Sequence, residues 1–146
     1  MSLAAVDGED RAHQLIGLTE QLCGRLLEEI EAFEARRPHL VAARSAETLR
    51  LANLYRHESH RVQCNPALLA GMGPELKERL SQHTRRFQAI LARHGRAVAA
   101  AKTITEGLVG AVATEVAARR SRNAGYGPTA RALQGDPRAI TLNQRA

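Results

Sequence analysis

Histidines are the first residues in this sequence that could do metal or acid–base chemistry. His57 and His60 are three residues apart with Glu58 between them, so on a helix they would lie close together. Zinc hydrolases use the pattern HExxH, which this sequence lacks, and no third ligand is identifiable nearby. A helix surface facing water is the favoured interpretation. His83 and His94 fall on an apolar stripe, where we expect histidines at the edge of a core, each with a hydrogen-bond partner.

A run of glutamates has the residue type needed for a catalytic acid–base pair, namely Glu28, Glu29, Glu31 and Glu34. Glu28 and Glu31 share a helix face, but the neighbouring apolar residues already define the face that must be buried. We therefore expect these carboxylates to face water and to confer solubility.

The sequence also contains no pattern typical of a catalytic nucleophile or of a phosphate-binding loop. The serines lie in no Gly-x-Ser-x-Gly pattern, and Gly71–Pro74 lacks the Lys-Ser/Thr ending of a phosphate-binding loop. Cys23 and Cys64 lie in no CxxC spacing, so we expect buried or neutral thiols. These patterns predict a protein that is not an enzyme and uses no metal or cofactor.

The composition indicates a helical protein, so any functional site must be formed by residues on helices. The 146 residues suit one domain, only 3% are aromatic and Trp is absent, so strand signals are scarce. No apolar run is long enough to span a membrane, and the N-terminal MSLAAVDGED has no signal-peptide pattern. The sequence thus predicts an all-α, cytoplasmic protein.

Three helices are predicted, over about residues 9–36, 39–63 and 74–120. Apolar steps of three or four support the first helix, at Leu15, Leu18, Leu22, Leu26, Ile30 and Phe33. Pro38 ends this helix, and Asn65–Pro66 ends the second, with one helical turn expected after Pro66. Pro74 suits the first position of the third helix.

The third helix carries the longest apolar stripe, with an average spacing of about 3.6 residues. Its members are Leu76, Leu80, His83, Phe87, Ile90, His94, Val98, Ala101, Thr105, Leu108, Val112 and Val116. Such a stripe must be buried against helices laid alongside it. The predicted fold is therefore all-α, an elongated antiparallel three-helix bundle or long helical hairpin with a flexible C-terminal tail.

Residues 1–122 are predicted to form the bundle and residues 123–146 the tail, whose Gly and Pro residues prevent it from building a core. The net charge of +6 concentrates at this end. Only Asp136 opposes the bases there, which are Arg119, Arg120, Arg122, Arg131, Arg138 and Arg145. Weak nucleic-acid binding through this end is an alternative, although no basic stripe interleaved with aromatics supports it.

Late in the third helix, apolar residues form a surface wider than two shorter helices would cover, namely Ile104, Leu108, Val109, Val112 and Val116. Residues at this spacing suit an amphipathic partner helix. The tail adds apolar anchors at Tyr126, Leu133, Ile140 and Leu142. We expect these anchors to contact the partner or to cover the surface while it is empty.

Four stretches carry a resemblance to a known family: LTEQLCGRLLEEIEAFEARRP, LRLANLYRHESHRVQCNPALLAG, AKTITEGLVGAVATEVAARR and AGYGPTARA. On these stretches the chain resembles the FlgN-like flagellar export chaperones, in particular their alphaproteobacterial, FlbY-like branch. The resemblance implies a cytoplasmic type III export chaperone that binds hook-associated proteins of the hook–filament junction before secretion. It also implies that the end of the third helix and the tail clasp the C-terminal helical segments of those proteins, with the export apparatus as a further candidate partner.

Other functions stay open on the residues alone. The chain could be a self-associating structural or regulatory helical protein, or the weak nucleic-acid binder described above. Both a monomer and a dimer are compatible with the sequence, and membrane insertion is not expected.

Overall fold

The computed structural model describes residues 2–125, and over this range the protein contains α-helices, one short 3-10 turn and no strand. The helices are α1 (Gly8–Glu34), α2 (Pro38–Ala42), α3 (Ser45–Cys64) and α4 (Pro74–Ala124), with the 3-10 turn at Pro66–Leu69. The predicted all-α class is confirmed. The chain divides into two compact units, residues 1–103 and residues 104–146.

Helix α1 begins and ends with defined caps. The Asp7 carboxylate accepts a hydrogen bond of 2.8 Å from the Asp10 amide, which satisfies an otherwise free donor of the first turn. At the other end Arg36 has a φ of 58°, and the Arg37 amide donates to Ala32 O at 2.8 Å. This is a Schellman cap, whose left-handed position usually holds glycine.

The second predicted helix is wrong as a single element, because it is divided into α2 and α3. Helix α2 buries none of its residues, so packing does not enforce its continuation. The Ser45 hydroxyl donates to Ala42 O at 3.0 Å, a local bond that competes with the helical ladder. The predicted turn after Pro66 and the start of α4 at Pro74 are both confirmed.

Two clusters form the core of the first unit. One joins α1, α3 and α4 through Leu18, Leu22, Cys23, Leu26, Leu51 and Phe87. Tyr55 packs on Phe87 with ring centroids 4.7 Å apart. The second cluster consists of Ala12, Ile16 and Leu76, and the 3-10 turn adds Leu69 to it. The predicted stripe of α1 is therefore buried except for the half-buried Phe33. In the early part of the α4 stripe Leu76 and Phe87 are buried, and the stripe residues between them are half-buried.

The described part of the second unit is residues 104–125, which are helical up to Ala124. Every residue in this stretch is exposed. Among residues 2–125, no helix has a stretch both long enough and apolar enough to cross a membrane. The predicted domain boundary at residue 122 stays a prediction, since most of the tail lies outside the described residues.

Candidate partner-binding surface

One side of α4 in the second unit is apolar and uncovered. We call it the distal face, formed by Ile104, Leu108, Val109, Val112 and Val116. These side chains are between 43% and 65% exposed. Four of them are spaced four residues apart, so they lie one above another on successive turns.

The distal face holds five of the ten large hydrophobic side chains that residues 2–125 leave exposed. The other five are scattered over residues 6–98, and single exposed apolar residues are normal in proteins. A contiguous apolar patch is different, because it usually marks an interaction site. The distal face therefore has the character of a surface that binds a partner.

The opposite side of this stretch presents small residues, including Gly107, Gly110 and Thr114. The Thr114 hydroxyl donates to Gly110 O at 3.0 Å, so its polar group is satisfied within the helix. No atom lies within 4 Å of a Cβ built at either glycine. The large apolar side chains of residues 104–125 thus all lie on the distal side.

Arginines follow the distal face at its C-terminal end. Arg119 and Arg120 come three and four residues after Val116, which places them on the same side of the helix. Val116 and Arg120 both line a shallow depression, whose other lining residues are Ala113, Ala117, Ser121 and Ala124. The apolar surface therefore leads directly into a positively charged one.

The two stripe histidines lie where the sequence predicts, at the edge of the first unit's core. His94 Nε2 is 2.7 Å from Glu29 Oε2, and its ring stacks edge-on against Phe33 at 6.1 Å. His83 Nδ1 lies 3.6 Å from the carboxylate of Glu20. These contacts join α4 to α1, so both histidines serve packing between helices.

The expectation that all four glutamates of α1 face water is wrong for Glu29. This residue is only 8% exposed, and it faces α4 where it contacts His94. Glu28, by contrast, lies on the surface and pairs with Arg44 at 2.8 Å. The physical reason is that Glu29 follows the buried Leu26 by three residues and Leu22 by seven, so it lies at the edge of the same helix face.

The position of Glu58 between two histidines predicts a water-facing side chain, and this prediction is also wrong. The side chain is fully buried, and its two oxygens accept hydrogen bonds from Arg11 at 2.7 Å and Arg61 at 3.0 Å. The Leu3 amide donates a third bond at 3.1 Å. A signal for this burial exists in the sequence, since Glu58 follows the buried Leu51 by seven residues and so continues its helix face.

The pKa of Glu58 reflects two opposing effects. Burial raises it, because the charged form loses its hydration, but the hydrogen bonds from Leu3 and Arg61 and the charges of Arg61 and Arg11 lower it more. The net result is a pKa below the ordinary glutamate value. Glu58 therefore links the N-terminal segment, α1 and α3 as a carboxylate.

The cysteines differ from each other. Cys23 is buried in the core, and this burial raises the pKa of its thiol, as expected for a neutral cysteine. Cys64 is exposed, so of the two cysteines Cys23 alone is buried, and the Sγ of Cys64 lies 3.7 Å from His60 Nε2. Over the described range, no group of three or more metal-ligating side chains comes together.

A cavity in the first unit lies between α1, α2 and the start of α3 and has a volume of about 520 Å³. Arg25, Glu31 and Leu40 are among its lining residues. Thr48 also lines it, and its Oγ1 is buried without a hydrogen-bond partner in the structure. Acidic and basic side chains alternate around this cavity, so it selects no particular charge.

The predicted client-binding residues fall into two groups. The structure brings Ile104, Leu108, Val109, Val112 and Val116 together as the distal face. Tyr126, Leu133, Ile140 and Leu142 lie outside the described residues. The sequence indicates the adjacent arginines only as net charge, because their position relative to the apolar surface depends on the helix continuing past residue 120.

These features define an all-α protein that presents an apolar helix face bordered by arginines. Its sequence is 49% identical to the flagellar basal-body protein FlbY of Caulobacter vibrioides over 149 residues, an alignment that covers 100% of both chains. The chain therefore belongs to the family of the flagellar basal-body protein FlbY. No family model matches the sequence, and no solved structure matches it.

Proposed function

We propose that this protein is a cytoplasmic chaperone of flagellar assembly, which binds hook-associated proteins before their type III secretion. Its membership of the FlgN-like export chaperones is part of the proposal. The observation that carries it is the distal face, a contiguous apolar surface with no partner among residues 2–125. Support for a flagellar role comes from the name of the full-length relative.

The physical argument concerns the subunits that such a chaperone would bind. Proteins that polymerise outside the cell must stay unassembled before export, and amphipathic helices in their polymerising segments tend to associate. A helix presenting apolar residues at positions i, i+4, i+8 and i+12 can cover such a segment. The distal face provides this spacing from Ile104 to Val116.

In this proposal the protein acts by stoichiometric binding, without a chemical step, a metal or a nucleotide. Binding covers the apolar stripe of the client and the distal face at once, so both proteins remove apolar surface from water. The complex then separates when the export apparatus takes the client.

The first test is co-purification of the full chain with each hook-associated protein of the same genome, followed by light scattering at moderate salt. We expect a discrete complex with at least one of them. If the chain elutes alone as a stable oligomer with every candidate, the chaperone proposal is wrong, and the distal face is a self-association surface.

Charged substitutions locate the site within such a complex. We expect Leu108→Asp with Val112→Asp to weaken client binding at least about 100-fold, since two charges would be buried against an apolar client stripe. Leu49→Asp is the matched control, because Leu49 is 62% exposed and Leu108 65% exposed. Equal affinities of the two variants would place the client elsewhere.

The part of the predicted tail that follows the described residues is tested by removing residues 126–146. We expect weaker client binding with unchanged helix content by circular dichroism, because the tail supplies apolar anchors such as Leu133 and Ile140. Unchanged affinity would show that the distal face binds the client without help from the tail.

A further inference from the structure

The arginines at the end of α4 carry a positive charge that the described residues only partly balance. Arg119 Nε lies 2.8 Å from Glu115 Oε1, and Arg122 reaches the same oxygen at 3.5 Å. Arg120 forms no ion pair with any residue in the range 2–125. The guanidinium groups of Arg119 and Arg122 therefore share one carboxylate.

These groups remain accessible to a partner. The side chains of Arg119 and Arg122 are 74% and 69% exposed. Arg122 also donates a hydrogen bond of 3.4 Å from Nε to Ala118 O, so part of its side chain is used to satisfy a carbonyl near the C-terminus of α4. Arg119 and Arg120 are thus the arginines best placed to meet a molecule that lies on the distal face.

A second copy of this chain fits the charge pattern poorly. In a parallel pair the arginine clusters of the two copies would lie side by side and repel each other. In an antiparallel pair, residues 104–125 of a second copy would offer two glutamates against three arginines, and one of these glutamates, Glu115, already pairs with Arg119. A partner with acidic residues is electrostatically favoured over self-association.

We infer that the partner is an amphipathic helix that binds antiparallel to α4, with acidic residues in its first turn beside Arg119 and Arg120. Two effects favour this direction. Acidic residues are stabilising at a helix N-terminus, where the macrodipole is positive, and arginine forms its strongest pairs with carboxylates. The N-terminus of the partner also meets the negative end of α4. This inference shares with the proposed function the use of the distal face as the binding surface, and it rests on that part of the proposal alone.

The test uses two synthetic helical peptides of about 18 residues with the same composition and apolar stripe. One carries three Glu residues in its first turn, and the other carries them in its last turn. With the full chain at low salt, we expect the first peptide to bind about three- to tenfold more tightly. A spin label at its N-terminus should broaden the amide signals of residues 119–122 rather than those of residues 104–107.

Charge reversal supplies the second arm of the test. Arg119→Glu with Arg120→Glu should abolish the preference between the peptides. Arg79→Glu with Arg96→Glu changes the net charge equally, at exposed positions of α4 outside the distal face, and should keep the preference. Equal affinity of the two peptides for the unaltered chain, or broadening at residues 104–107, would overturn the inference.

The same variants separate this inference from the proposed function. If a hook-associated protein co-purifies equally with the unaltered chain and with the Arg119→Glu, Arg120→Glu variant, the acidic-helix inference is wrong and the chaperone proposal stands. If no hook-associated protein binds, but the first-turn peptide binds at residues 119–122, the chaperone proposal fails and the inference holds.

Discussion

Glu58 shows how one buried carboxylate connects three segments of the first unit. Replacing it with Gln should destabilise the protein by about 3 kcal/mol, because Arg11, which is also buried, would lose its charged partner. Glu47→Gln is the control, since Glu47 pairs with Arg50 on the exposed surface and should change stability little. Urea unfolding at pH 7 measures both variants. Similar midpoints for the two would show that burial of the pair is not important for stability.

The lowered pKa of Glu58 also sets the sign of a pH effect. Because the folded-state pKa lies below the unfolded value of about 4.3, the unfolded chain binds more protons in this range. The stabilisation is therefore complete above the unfolded pKa and is lost as pH falls through the folded pKa. Urea unfolding between pH 7 and pH 3 should show a shallower loss of stability for Glu58→Gln than for the unaltered protein. A parallel pair of curves would contradict this assignment.

Arg36 is a second residue whose effect on the stability of the fold can be measured. It occupies the left-handed position of the α1 cap with a φ of 58°, a conformation that costs a non-glycine residue about 1 kcal/mol or more. Arg36→Gly should therefore stabilise the protein by up to about 1 kcal/mol, after allowing for the greater freedom of glycine in the unfolded chain. Arg37→Gly, at an exposed neighbouring position, should not stabilise it. Denaturant midpoints decide between these outcomes.

At the scale of elements, the sequence predicts a helix correctly where its apolar spacing indicates a helix and a proline marks where that helix begins or ends. The buried stripe of α1 and the start of α4 at Pro74 follow from such local signals. The break between α2 and α3 does not, because it depends on a hydroxyl bond from Ser45 and on the absence of packing. The partners of Glu58 are likewise distant in sequence, with Arg11 47 residues away. The distal face could be predicted because its residues are local, whereas its exposure depends on which helices cover α4.

The distal stretch of α4 is composed of poor helix formers. Nine of residues 103–116 are β-branched or glycine, and both lower helix stability. We expect these amides to exchange with solvent faster than those of residues 76–94 in the free protein, and to become protected when a client binds. Gly107→Ala with Gly110→Ala should slow the exchange, since each change favours the helix by about 1 kcal/mol and the added Cβ meets nothing within 4 Å. Exchange that is already slow in the free protein would contradict this prediction.

At the scale of the whole molecule, the described core and the proposed partner-binding surface lie in different units. Both core clusters lie within residues 1–103, and residues 104–125 bury no side chain. A chain ending at Thr103 should therefore keep a melting temperature within a few degrees of the full chain, because it loses almost no buried apolar area. The same chain should lose client binding, because it lacks the distal face. If it instead unfolds at a much lower temperature, the second unit contributes to stability, and the effects of distal substitutions would have to be separated from folding before they could locate a binding site.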